Sequence, residues 1–224
     1  MIDYTIVRSN RKTIAIYVRD GSVEVRAPFN ATKRAIDNFV SYKANWIREK
    51  LAVQINQIVK RENFSLDYGD CITYRGELRP IIAAQGNRIG FDDRGFYMPP
   101  NLSPEQVRYS CIRIYQLLAK RDLTERVFQF AEELSIMPSV VKINSAKTRW
   151  GSCSTKNSLN FSWRLIMADD DLIDYVVVHE LMHLIEMNHS RAFWYKVGRV
   201  LPDYKERIAR LRELQDRLAD EYWD

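Results

Sequence analysis

Histidine is close to absent from this chain, with three in 224 residues, all between positions 179 and 189. Cysteine is equally sparse: Cys71, Cys111 and Cys153 are odd in number, far apart and lack any C-x-x-C pair. That argues against a disulfide framework and against a cysteine zinc site, leaving reduced packing thiols. No stretch approaches the ~20 consecutive apolar residues of a membrane span, and positions 1–11 lack the apolar run of a signal peptide. A cytoplasmic protein without a membrane partner is expected. No Walker-type glycine-rich loop, internal repeat or low-complexity segment is present.

What is present is concentrated in His179-Glu180-Leu181-Met182-His183 and the following Leu184 to His189. On a helix, side chains four residues apart project from one face about one turn, ~5–6 Å, apart, close enough for His179 and His183 to grip one ion. Glu180 is rotated by about 100° and can reach a water beside that ion without being a ligand. A Zn²⁺ held by three side chains keeps a fourth position for water and lowers that water's pKa towards ~7. The surrounding residues Leu172, Ile173, Tyr175, Val176, Val177, Val178, Leu181, Met182, Leu184 and Ile185 are apolar nearly all round, as in a helix buried in a core. Asp169, Asp170 and Asp171 supply N-cap candidates and negative charge at its positive end.

His189 would lie ~15 Å along an unbroken helix from His179, so the helix must end before it can serve as third ligand. Asn188, which tolerates the left-handed conformation, marks the expected place in Glu186-Met187-Asn188. Glu186 and Glu206 are the alternative third ligands. The metzincin pattern sets its third histidine at the same interval but turns at glycine; here no glycine falls between 152 and 197.

The net charge of +5 is unevenly spread, because residues 1–62 carry twelve Lys/Arg against six Asp/Glu. This suits an anionic partner, nucleic acid included, as well as a solvated helix face. Alternation at Tyr4, Ile6, Ile14, Ile16, Val18, Val23 and Val25, with Asp20-Gly21 as a turn, predicts short antiparallel strands. Helical spacing from Asn30 to Lys60, capped by Thr32 or Asn30, predicts one long helix with Trp46 in the core. Glycine-punctuated strands follow from Tyr68 to Met98. Pro99-Pro100-Asn101 sets the expected boundary between an N-terminal region, 1–100, and a catalytic domain, 101–224.

Ser103-Pro104-Glu105-Gln106 reads as a helix start, with the helix running to about Leu134 before Pro138. Strands at Val141/Ile143 and at Leu159/Phe161/Trp163 then lead into the histidine helix. Lys147, Arg149 and Arg164 are placed towards the cleft as substrate-binding cations. Ser190 caps a helix bearing Phe193, Trp194 and Val197, and a last helix runs from Tyr204 to Trp223.

These residues carry a resemblance. Arg11 to Ile16, Val25-Arg26-Ala27-Pro28, Arg149 to Cys153, Val177 to His183, Asn188-His189-Ser190 and Phe193-Trp194 together resemble the YgjP-like family of metal-dependent hydrolases, relatives of the SprT-like zinc metallopeptidases. The resemblance implies an α+β fold with a zincin-like catalytic domain, in which a small sheet covers the H-E-x-x-H helix. It also implies His179, His183 and His189 as metal ligands and Glu180 as general base. Arg149 and Tyr195 are candidates to stabilise the oxyanion of a peptide substrate. Two other functions are weighed: hydrolysis of a nucleoside triphosphate such as UTP to pyrophosphate, met by Lys147, Arg149 or Arg164, and a nucleic-acid-binding module with a structural zinc.

Overall fold

The structure is a computed structural model that describes residues 2–223. By contacts the chain divides into two compact units. One ends at Phe64 and takes in Leu218–Tyr222; the other comprises Ser65–Arg217 and Trp223.

In the first unit, β1 (Thr5–Ser9), β2 (Ala15–Arg19) and β3 (Ser22–Pro28) form a sheet in the order β1-β3-β2. The sheet is mixed: β2 pairs antiparallel with β3, whereas β1 lies parallel to it. The all-antiparallel expectation therefore holds only for the hairpin, whose turn residues Asp20 and Gly21 both have positive φ, the backbone a two-residue hairpin turn demands. Val23, Val25 and Ala27 alternate onto the covered face and are buried. They pack with Ile36, Val40 and Ile47 from α1 (Lys33–Tyr42) and α2 (Ala44–Glu62).

The single long helix expected over this span is broken at Lys43 (φ −92°, ψ 8°). Thr32 caps α1 through its hydroxyl, which accepts from the Ala35 amide. Ile47, not Trp46, takes the core position on α2, and Trp46 is 42% exposed. Beyond the break, the stripe read as one face no longer points one way.

In the second unit, β4 (Cys71–Tyr74), β5 (Glu77–Ala83), β6 (Gly90–Asp92) and β7 (Gly95–Met98) form a sheet ordered β4-β5-β7-β6. These strands group with the histidine-bearing residues for a visible reason. The Arg75 amide donates to the Ile166 carbonyl at 2.8 Å, and the Tyr115 hydroxyl donates to the Thr73 carbonyl at 2.6 Å. The contact division thus falls at Phe64/Ser65, while Pro99–Asn101 only links β7 to α3 (Pro104–Leu134).

Helix α3 starts with the expected capping box between Ser103 and Gln106, and Ser135, in the left-handed region, closes it. A second sheet follows, ordered β8-β10-β9, from β8 (Val140–Asn144), β9 (Gly151–Cys153) and β10 (Ser158–Ser162). A 3₁₀ turn, Trp163–Met167, leads to α4 (Asp170–Met182), then α5 (Arg191–Val200) and α6 (Tyr204–Ala219). Trp163 stacks on Tyr115, with ring centroids 5.6 Å apart, and Trp223 meets both edge-on. Burying each such ring contributes on the order of 1.5–3 kcal/mol.

Asp169 is the N-cap of α4 but makes no side-chain cap bond. The three aspartates serve arginines instead: Asp169 and Asp171 accept from Arg210, and Asp170 takes a bidentate pair from Arg75 at 2.5 and 2.7 Å. No helix among the described residues is long and apolar enough to cross a membrane.

Candidate metal centre

Val177, Val178 and Leu181 are fully buried, so the last turn of α4 is fixed by its packing. That turn presents His179 and Glu180, and His183 stands at the C-cap. The helix ends earlier than expected. After Met182 the chain tightens into turns in which Leu184 donates to the Leu181 carbonyl and Glu186 to the Met182 carbonyl. Neither Asn188 nor any other residue of that loop has positive φ. The reversal is made by a tightened last turn, and Ser190 then caps α5 by accepting from the Phe193 amide at 3.2 Å.

This brings the three imidazoles together. Their ring centroids are 4.9 Å (179–183), 5.0 Å (179–189) and 4.7 Å (183–189) apart, and one ligand nitrogen from each lies within 4.8 Å of the other two. That group contains neither Glu186 nor Glu206. Of these two alternatives, Glu186 reaches the site only through its carbonyl, which accepts from His183 Nδ1 at 3.1 Å. Since a carbonyl cannot donate, His183 carries its proton on Nδ1 and leaves Nε2 with a lone pair. His179 Nδ1 lies 3.3 Å from the Tyr175 hydroxyl, a contact that fits the same tautomer.

Aromatic rings hold the imidazoles in place. Phe193, fully buried, stacks on His183 with centroids 4.5 Å apart, Trp194 stacks on His189 at 5.6 Å, and Tyr204 stacks on Trp194 at 5.3 Å. Burial, and then the neighbouring imidazoles, push the His179 pKa down to about 3. Burial also lowers that of His183, with the Glu186 hydrogen bond opposing. Both rings are neutral at pH 7, as metal ligation requires.

The donor set fits a divalent ion on two further observations. His179 Nε2 and His189 Nε2 face each other at 3.0 Å, converging as two donors to one ion would. Nitrogens bound at ~2.0–2.1 Å to a tetrahedral zinc would sit about 3.3 Å apart. The cluster also lies at the C-terminal end of α4, where the helix dipole favours positive charge.

Glu180 is 6% exposed, and its Oε2 has no hydrogen-bond partner among the described residues. Burial drives its pKa up to about 7, against the opposing charge of Arg149. The carboxylate lies over Gly151 of β9, where a Cβ would come within 2.6 Å of Glu180 Cγ and Oε1. Glycine is therefore required by close approach, and the R-W-G-S-C motif has a structural reason.

The remaining candidates separate. Arg149 is exposed and its charge acts on Glu180. Tyr195 is 67% exposed, while its helix neighbours Phe193 and Trp194 face the histidines. Arg164 is buried: its guanidinium donates to the carbonyls of Ser145 and Trp223 and lies over the Trp163 ring. It is held inside the fold rather than presented to a substrate. Lys147 is exposed, and its carbonyl accepts from Gln215. Cys153 is partly buried, with its thiol pKa raised by burial and then by the Glu180 charge. Tyr175, Phe193, Trp194 and Tyr204 were not among the site residues expected from sequence. Tyr175 had a signal in its position one turn ahead of His179, and Phe193-Trp194 in the motif that carries the family resemblance; Tyr204 had none.

Three imidazoles converging beside a buried carboxylate, on an α+β scaffold, define a candidate metal-dependent hydrolase of the metallopeptidase type. The chain belongs to the YgjP-like family, whose metallopeptidase-domain model matches residues 12–214. Two solved structures are similar to part of it. The metallopeptidase zymogen abylysin of Pyrococcus abyssi is 24% identical, with 40% of this chain and 90% of that one covered and a TM-score of 0.37. The metallopeptidase zymogen jannalysin of Methanocaldococcus jannaschii is 22% identical, with 42% and 96% covered and a TM-score of 0.38. A comparison with curated proteins gives no match.

Proposed function

We propose that the chain is a zinc-dependent peptidase in which His179, His183 and His189 hold the ion and Glu180 is the general base. When bound, the ion would supply Lewis acidity, polarising a peptide carbonyl and acidifying a water. Glu180 accepts the proton of the attacking water and returns it to the leaving amine, a role suited to a carboxylate whose burial raises its pKa above the ordinary range. The Glu186 carbonyl fixes the tautomer of His183, leaving its Nε2 lone pair available, and the Tyr175 hydroxyl stands against His179 Nδ1. Arg149, whose charge acts on Glu180, is the cation assigned to meet negative charge developing on the substrate oxygen.

The observation that carries this reading is the buried Glu180 Oε2, without a hydrogen-bond partner among the described residues, beside three converging imidazoles. A purely structural ion would gain nothing from a costly orphan carboxylate. The test is Glu180→Gln beside His183→Ala, each assayed on a casein-derived peptide library with metal content measured. Glu180→Gln is expected to keep one zinc per chain and lose turnover, and His183→Ala to lose the zinc. Wild-type turnover in Glu180→Gln would remove the assigned base.

A further inference from the structure

Away from the histidines, the second unit has a groove of about 780 Å³ between α3 and β8. One wall is a face of α3 with Arg113, Leu117, Lys120 and Thr124 at helical spacing; the other is β8 itself, from Val141 onward. Strand β8 pairs with β10 on one side only, because it ends its sheet. Its other edge offers backbone donors and acceptors with no strand partner among the described residues. Such an edge accepts an added strand.

The lining chemistry says what kind of strand. Arg113, Lys120 and Lys142 all line the groove, no carboxylate does, and none of the three makes an ion pair among the described residues. Between them sits Leu117, 62% exposed, with the partly buried Val141 and Ile143 opposite. Cations alternating with apolar side chains along an open edge complement an extended segment in which acidic and apolar residues alternate, since successive side chains of a strand face opposite ways. A β8 of five residues would pair with ~16 Å of it.

We propose that this groove docks an acidic, extended segment of a partner protein, added as a strand to the edge of β8. Nucleic acid would answer the charge, but would use neither the strand edge nor Leu117. None of the lining residues belongs to the metal centre, so docking persists in metal-free protein and in Glu180→Gln, and its test is independent of the peptidase reading.

The experiment is fluorescence anisotropy with the full chain and a short fluorescein-labelled peptide in which glutamate and valine alternate. Saturable, salt-sensitive binding is expected. The double variant Arg113→Glu/Lys120→Glu, and separately Lys142→Glu on the opposite wall, should weaken it by about tenfold or more, and Leu117→Ala should weaken it several-fold. A control peptide with proline at alternate positions keeps the charge but cannot pair with a strand, and should not bind. No binding by the alternating peptide at low salt, or equal binding by the proline control, would overturn the proposal. So would tighter binding of labelled oligothymidylate that the same variants abolish, which would make the groove a phosphate track.

Discussion

Replacing Gly151 by alanine tests the close approach on which the position of Glu180 depends. The new Cβ would stand 2.6 Å from both Cγ and Oε1 of Glu180 and 2.8 Å from Cδ, against ordinary carbon contacts of ~3.5–4.0 Å. Something must therefore move by roughly 1 Å. The α4 backbone cannot easily give way, since Val177, Val178 and Leu181 are fully buried beneath it, so the carboxylate is the part that shifts. Gly151 is not among the glycines with positive φ, so the backbone accepts alanine and the effect is steric. Overpacking of this kind costs about 1–3 kcal/mol, which lowers the Tm of a unit this size by roughly 2–12 °C. If Glu180 is the base proposed above, a misplacement of about 1 Å lowers kcat by on the order of 10²-fold. Zinc content should be unchanged, because the three atoms nearest the new methyl all belong to Glu180 and none to an imidazole. Calorimetry, elemental analysis and peptide turnover read these separately, and wild-type turnover with wild-type Tm would refute the packing of Glu180 over β9.

Other consequences follow from the charges and rings around α4. Asp174 accepts from Arg126 at 2.6 Å, yet burial outweighs that charge and leaves its pKa raised; Asp174→Asn should be near neutral or stabilising at pH 7, whereas Arg126→Ala should destabilise by about 1–3 kcal/mol, as urea melts would show. The Arg75 hydrogen bonds hold the Asp170 carboxyl below its ordinary range. A depressed carboxylate adds stability that is present above its unfolded pKa of ~3.9 and lost as pH falls through the folded value. Because both partners are more than a third exposed, that share is no more than about 1 kcal/mol; Arg75→Ala should flatten the acid limb of a Tm-against-pH curve, and an unchanged limb would exclude the pair. Tyr175→Phe removes the partner of His179 Nδ1 and should weaken zinc binding by about tenfold, measured by chelator competition.

Much of the centre was legible in the sequence because its constraints are local. Two histidines at four-residue spacing in an apolar helix fix a shared face, and the third could join only if the helix stopped. What spacing could not supply was how it stops: the turn after Met182 is tight and right-handed, so Asn188 was the wrong cue. The long helix α3 was legible because its capping box and Pro138 bracket it. The break at Lys43 was not, since no proline or glycine marks it and only packing on β3 reveals that Ile47 replaces Trp46 in the core. Arg164 was misplaced for a related reason: a cation next to a strand looks exposed until a distant carbonyl, here that of Trp223, is folded onto it. Strand pairing between Thr5–Ser9 and Ser22–Pro28 is parallel, a long-range choice that alternation leaves open.

X-ray absorption at the zinc edge of the metal-loaded protein bears most directly on the central claim. Three imidazole nitrogens and one light oxygen donor at about 2.0–2.1 Å are predicted, unchanged in Glu180→Gln and reduced by one imidazole in His189→Ala. A sulfur shell near ~2.3 Å, or loss of a ligand in Glu180→Gln, would show that Cys153 or Glu180 binds the ion and that the assignment of base and ligands is wrong.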